Sequence, residues 1–99
     1  MTAGEKMKRD ILDMGLTLWR VDPAYVTARR IARELGIVHG TVFYHFSRGE
    51  RSLRDAIAYH AMEQGEARVI VHLIAENHKA AAHLSDAQRL EYMRQARER

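Results

Sequence analysis

The sequence predicts an all-α fold, in which a three-helix bundle containing a helix-turn-helix is joined to two or three further helices. The 99 residues contain a single proline, Pro23, and no sustained alternation of apolar and polar residues that would indicate strands. Apolar residues instead recur at helical spacing, and glycines or capping residues interrupt them at 36, 47, 65 and 85.

The first predicted helix covers about 5–20, where Ile11, Leu18 and Trp19 lie on one face. Asp22-Pro23 ends this helix and starts a connection. A second helix is predicted to begin after Thr27, whose hydroxyl can accept a hydrogen bond from a free backbone N–H of the first turn.

Gly36 supplies the left-handed geometry that ends a helix, and a short third helix is predicted at roughly 38–44. Ser47 and Glu50 match a capping box, which predicts a fourth helix with Leu53 and Ile57 on its inner face.

The second half of the chain is predicted to be helical as well. Gly65 either separates a fourth from a fifth helix or lies within one long helix that runs to about Asn77. Residues 78–84 indicate a connection or a frayed end, and a second capping box at Ser85 and Gln88 predicts a last helix.

Charge is concentrated in the middle of the chain, although the net charge is only +3. Residues 27–54 contain six arginines and two glutamates, a local charge of +4, whereas residues 61–99 contain six basic and six acidic side chains. A local positive field of this kind suits a partner that carries phosphates.

Several classes of protein are not expected from this composition. There is no cysteine, and His72, His78 and His83 lack the spacing of a helical metal pair, so we expect no metal and no cofactor. The first residues lack the apolar core of a signal peptide and no apolar run could cross a bilayer, so a cytoplasmic protein without a membrane partner is expected. The sequence contains neither a nucleophile with a nearby base nor a pair of carboxylates on one helix face, so we do not expect an enzyme.

The segment from Thr27 to Leu53 resembles the DNA-binding domain of the tetracycline-repressor (TetR) family. The helix-turn-helix covers 27–46, and the wider resemblance covers about residues 5–58. The residues that match the family pattern, without a gap, are Ile31, Ala32, Leu35, Gly36, Ile37, Gly40, Thr41, Val42, Phe43, His45, Phe46, Glu50 and Leu53.

The resemblance implies which side chains face double-stranded DNA. Residues at the start of the second helix, those of the third helix and Arg48 are expected at the interface, with Arg48 near a phosphate. Arginine can bond guanine O6 and N7, and a threonine hydroxyl can bond a phosphate or contact a thymine methyl group. The expected DNA-binding residues are Thr27, Arg29, Arg30, His39, Gly40, Thr41, Phe43, Tyr44, His45 and Arg48.

Three positions depart from the family pattern. Val38 replaces a serine that caps the third helix, Phe43 replaces a tyrosine, and Gly49 stands where a phosphate-binding lysine is common. These changes predict fewer contacts to the DNA backbone for each site, without loss of the fold.

The region that follows the matched segment is short for this family. We expect residues 1–50 to form the DNA-binding region and residues 51–99 a helical dimerisation region of the same compact domain. Since two helices cannot enclose a drug-sized pocket of roughly 300 Å³, no small-molecule effector is expected. The apolar residues expected to pair with a second copy are Met62, Val69, Ile70, Leu73, Ile74, Leu90 and Met93.

The sequence therefore predicts a dimeric repressor of transcription that binds a palindromic operator. The alternative is a protein-interaction module that uses the helix-turn-helix as a scaffold to bind another regulator. The missing serine and lysine at positions 38 and 49 are compatible with this alternative.

Overall fold

A computed structural model describes residues 1–98. These residues form α1 (Ala3–Val21), α2 (Ala28–Leu35), α3 (His39–His45), α4 (Glu50–Gln64), α5 (Ala67–Ala75) and α6 (Asp86–Arg97). Two short 3-10 turns, Pro23–Tyr25 and Lys79–Ala81, join α1 to α2 and α5 to α6. The predicted all-α fold class is confirmed, since no strand occurs within residues 1–98. The last residue of the predicted region 51–99 lies outside the described residues.

The chain divides into two compact units, Met1–Ile57 and Ala58–Arg99, with the division inside α4. In the first unit α2 contacts both α1 and α3. Its fully buried side chains include Ile11, Ile31, Val42, Leu53 and Ile57, and Trp19 is almost completely buried. These are the residues that the helical spacing places on inner faces.

α1 approaches α4 closely at Gly15. A Cβ atom built on Gly15 would lie 2.4 Å from Cδ1 and 2.8 Å from Cγ1 of Ile57. Glycine is therefore required here by the packing of two helices, because any larger residue would displace a fully buried isoleucine.

The second unit is formed by the end of α4, α5, the 3-10 turn and α6. α5 contacts both the 3-10 turn and α6. Gly65 has φ +65° and separates α4 from α5, which decides between the two arrangements left open by the sequence. The segment 78–84 is an ordered connection, in which Ala80, Ala81 and Leu84 are buried.

The last helix begins as its capping box predicts. The Ser85 hydroxyl accepts from Gln88 N at 3.2 Å, and Gln88 Oε1 accepts from Ser85 N at 2.8 Å. None of the helices within residues 1–98 has the length and apolar character needed to span a membrane.

Candidate nucleic-acid interface

Two side-chain contacts define where α2 begins. Thr27 Oγ1 accepts from Arg30 N at 3.1 Å, so the predicted N-cap is present. Both carboxylate oxygens of Glu50 lie 3.1 Å from Ala28 N, and they accept a hydrogen bond from this first N–H of the helix. Because Glu50 is the first residue of α4, this contact ties the start of α4 to the start of α2.

The predicted capping box at Ser47 is wrong. Ser47 lies in a turn after α3, Gly49 has φ +93°, and the carboxylate of Glu50 binds Ala28 N instead of returning to Ser47. A backbone N–H from a segment 22 residues earlier has taken the acceptor that the local motif would use.

A tight turn sets the position of α3 relative to α2. Gly36 has φ +69°, the left-handed conformation predicted for it, and Ile37 N donates to Ala32 O at 3.0 Å. Val38 precedes α3 and makes no side-chain capping bond, in agreement with the loss of a hydroxyl there. Val38 is 72% exposed.

α3 has one buried side and one free side. Val42 is fully buried and anchors the helix, whereas Tyr44 is 82% exposed. His39 and Gly40 are exposed as well. The half-buried residues of this helix are Thr41, Phe43 and His45.

Ring contacts connect neighbouring residues of α3. The His39 and Phe43 rings meet edge-to-face with their centres 4.9 Å apart, and those of Tyr44 and His45 do so at 5.1 Å. These contacts limit how freely the rings of an exposed helix can move.

The three arginines of α2 differ in their surroundings. Arg29 and Arg33 are exposed, one turn apart on the helix. Arg30 is half-buried, and its guanidinium carbon lies 4.7 Å from the centre of the Tyr25 ring. The Nε of Arg30 is buried without a hydrogen-bond partner among residues 1–98. Arg30 is therefore held against Tyr25, while Arg29 and Arg33 are free to reach a ligand.

An open depression of about 170 Å³ lies over these arginines. Its lining contains no acidic side chain and consists of Ala24, Tyr25, Thr27, Arg29, Arg30 and Arg33. Its size and charge suit an oxyanion such as a phosphate group, and guanidinium groups bond phosphate oxygens in pairs.

Other basic residues near these helices have different roles. Arg48 is exposed in the turn after α3, and Arg51 is exposed on the first turn of α4. Arg54 instead donates to Pro23 O at 2.9 Å and Val26 O at 3.0 Å, with its guanidinium carbon 4.8 Å from the Trp19 ring centre. Arg54 thus stabilises the connection before α2 and is not available to a ligand.

Sequence reasoning missed Tyr25 as part of this surface, and it left Arg33 out of the expected DNA-binding residues. Arg33 could have been found, because it follows Arg29 by four residues on a helix. Nothing in the pattern pointed to Tyr25, since its contact with Arg30 depends on the 3-10 turn at Pro23–Tyr25.

The residues expected to pair with a second copy divide by burial. Val69, Ile70 and Leu73 are fully buried within the chain, so they offer no surface to a partner and this part of the prediction is corrected. The physical reason is that α5 needs its apolar face to pack against α6 and the 3-10 turn. Met62, Ile74 and Met93 are half-buried, and Leu90 is 66% exposed.

Within residues 1–98 no group of three or more histidine, cysteine, aspartate or glutamate side chains is arranged to hold a metal ion. Comparison with models of protein families, with curated proteins and with solved structures gives no match to this chain.

Proposed function

We propose that this protein is a sequence-specific DNA-binding regulator of transcription, acting as a dimeric repressor at a palindromic operator. The observation that carries the proposal is the free side of α3, which presents His39, Gly40 and Tyr44 to solvent from a helix that Val42 anchors. A helix held in this way after a tight turn suits insertion into the major groove. The resemblance to TetR-family DNA-binding domains supports the same function.

Gly40 supports a close partner because the fold itself does not require a glycine there. Its φ is not positive, and a Cβ atom added to it would have no atom within 4 Å. A glycine in a helix costs about 0.5–1 kcal/mol relative to alanine. The absence of a side chain is explained if a DNA backbone approaches α3 at this point.

Tyr44 supports the proposal for the opposite reason, since it is a large ring that the core does not use. Its ring is 82% exposed, and its edge-to-face contact with His45 restricts it. A tyrosine in this setting can contact a sugar or a base and donate from its hydroxyl to a phosphate.

The arginine-lined depression supplies the charge that DNA binding needs. Arg29 and Arg33 reach solvent at the edge of α2, and Arg48 does so in the turn after α3. Cations on the helix before α3 and in the turn after it suit the two phosphate strands that border a major groove. One such surface reads only a few base pairs, and two copies on a palindrome would supply the specificity of an operator.

The test is selection of bound duplexes from a random DNA library, followed by affinity measurements at two salt concentrations. We expect an enriched palindrome, with an affinity that falls steeply as salt rises. Tyr44→Ala should weaken binding to the selected duplex, whereas Tyr59→Ala should leave it unchanged, because Tyr59 is an exposed tyrosine outside this surface. Failure to enrich any sequence, with only weak binding that salt removes, would refute the proposal.

The second candidate is a module that binds another protein, and the exposed side chain of Val38 favours it. Val38 is 72% exposed at the start of α3, where a hydroxyl would serve DNA better. A protein-binding module would retain its partner after Arg29→Ala and would show little salt-dependent DNA binding.

A further inference from the structure

The first turns of α1 carry a basic residue on the side of the helix that faces the other helices of its unit. Gly4, Lys8, Ile11 and Gly15 follow one another at intervals of four, three and four residues, which places them on one stripe of the helix. Ile11 and Gly15 are buried, whereas Lys8 is exposed. On this face of α1 the exposed Lys8 therefore precedes the buried Ile11 and Gly15.

The end of α3 lies against this part of α1. A Cβ atom built on Gly4 would lie 4.0 Å from Cε1 of His45. The Nζ of Lys8 lies 5.8 Å from the centre of the ring of Phe46, the C-cap residue that follows α3. Lys8 is thus positioned beside the last turn of the helix proposed to enter the major groove.

The ammonium group of Lys8 is available to a ligand. It makes no hydrogen bond and no ion pair with any of residues 1–98. Its Nζ lies over one face of the Phe46 ring, and the side chain is otherwise exposed. Lys6 differs, since its Nζ binds Asp10 at 2.9 Å. Arg9 is exposed and likewise unpaired among residues 1–98, but it lies about 100° around the helix from Lys8.

We infer that Lys8 binds a backbone phosphate of DNA at the border of the groove that α3 occupies, which extends the interface to α1. The inference rests on the proposed function and adds a contact that the helix-turn-helix does not contain. An ammonium group beside the end of a groove-binding helix meets the phosphates that border the groove, and it carries no information about base sequence.

The experiment compares the salt dependence of binding for wild type, Lys8→Met, Arg9→Met and Lys8→Arg, with a fluorescein-labelled duplex of mixed sequence as the probe. Loss of one phosphate contact lowers the slope of log affinity against log salt by about 0.9. The affinity ratio of wild type to Lys8→Met should therefore shrink about threefold between about 50 and 200 mM salt. Lys8→Arg should keep the wild-type slope, and so should Arg9→Met, which removes an equal charge from the neighbouring face.

The outcomes separate this inference from the proposed function. A wild-type slope in Lys8→Met, or equal losses in Lys8→Met and Arg9→Met, overturns the Lys8 contact and leaves the proposed function in place. Absence of salt-dependent binding by the wild-type protein overturns both. Thermal unfolding of Lys8→Met is measured in parallel, because a lysine beside the end of α3 could also act on the helix dipole. A lower melting temperature with an unchanged slope would assign Lys8 to stability and overturn the inference.

Discussion

Gly15 and Gly40 both lie in helices, but the structure predicts opposite effects when each is replaced by alanine. Alanine is favoured over glycine in a helix by about 0.5–1 kcal/mol. At Gly40 nothing opposes this gain, because the new Cβ would have no atom within 4 Å apart from its chain neighbours and the backbone of its own helix. Because Gly40 is the second residue of α3, Gly40→Ala should raise the free energy of unfolding by at most about 0.5–1 kcal/mol, the value for a helix interior.

At Gly15 the same gain competes with a steric clash. The new Cβ would lie 2.4 and 2.8 Å from two atoms of Ile57, which is fully buried and has no free space to enter. Overpacking of this kind costs about 1–3 kcal/mol, and two contacts below 3.0 Å put the cost near the upper end of that range. We therefore expect Gly15→Ala to lower the free energy of unfolding by about 1–2 kcal/mol.

Urea denaturation of both variants, followed by titration with the selected duplex, tests the two expectations together. Gly40→Ala should be more stable than wild type and bind DNA more weakly, which no general loss of structure can produce. Undiminished DNA binding by Gly40→Ala would refute the close approach of DNA to α3.

A second substitution checks the packing argument. Ile57→Val removes Cδ1, the atom nearest to the new methyl group. In the wild-type protein this substitution should lower the free energy of unfolding by about 0.5–1.5 kcal/mol. In the Gly15→Ala protein it should lower the free energy of unfolding by less than this, or raise it. A Gly15→Ala protein as stable as wild type would show that α1 and α4 are not packed as described.

Two further predictions concern helix starts. Glu50→Ala should lower the free energy of unfolding, measured by urea denaturation, by about 1–3 kcal/mol, because it removes a charged acceptor from the part-buried N–H of Ala28. Glu34→Ala on the exposed side of α2 should be nearly neutral, and equal effects of the two substitutions would contradict the Glu50 contact. Ser85→Ala should lower the free energy of unfolding by about 1 kcal/mol and increase amide hydrogen exchange in the first turn of α6. Ser47→Ala should change neither the free energy of unfolding nor the amide exchange. A comparable loss in Ser47→Ala would show that Ser47 caps α4 after all.

The two serine motifs show what local patterns can and cannot predict. Ser85 with Gln88 and Ser47 with Glu50 have the same spacing, yet only the first forms a capping box. The Gln88 side chain accepts from Ser85 N, whereas the Glu50 carboxylate accepts from the N–H of Ala28 at the start of α2. A motif identifies a possible partner, but a donor brought in by the fold can replace it.

The helices themselves were predictable because their signals are local. Thr27 and Gly36 start and end α2 as expected, since a hydroxyl cap and a left-handed glycine act within one turn of the residue concerned. The inner faces followed from helical spacing, and Leu53 and Ile57 are fully buried. These features need no knowledge of what lies across the core.

The candidate interface was predictable only in part, because charge in a sequence does not show how each charge is used. Of the arginines that give residues 27–54 their positive charge, Arg54 binds two backbone carbonyls and Arg30 lies against Tyr25. Arg29 and Arg33 remain exposed. Only the fold separates cations that hold the chain together from cations that can meet a ligand.

The dimerisation surface was the least predictable feature, for a related reason. Apolar residues at helical spacing indicate that a face is covered, but they do not indicate what covers it. α5 packs its apolar face within its own unit. Of the seven residues expected at an interface, only Leu90 is exposed, and the others are buried or half-buried. Stable dimers bury roughly 600 Å² or more on each partner, far more than one leucine provides. A pairing of two copies would therefore have to use residues besides Leu90.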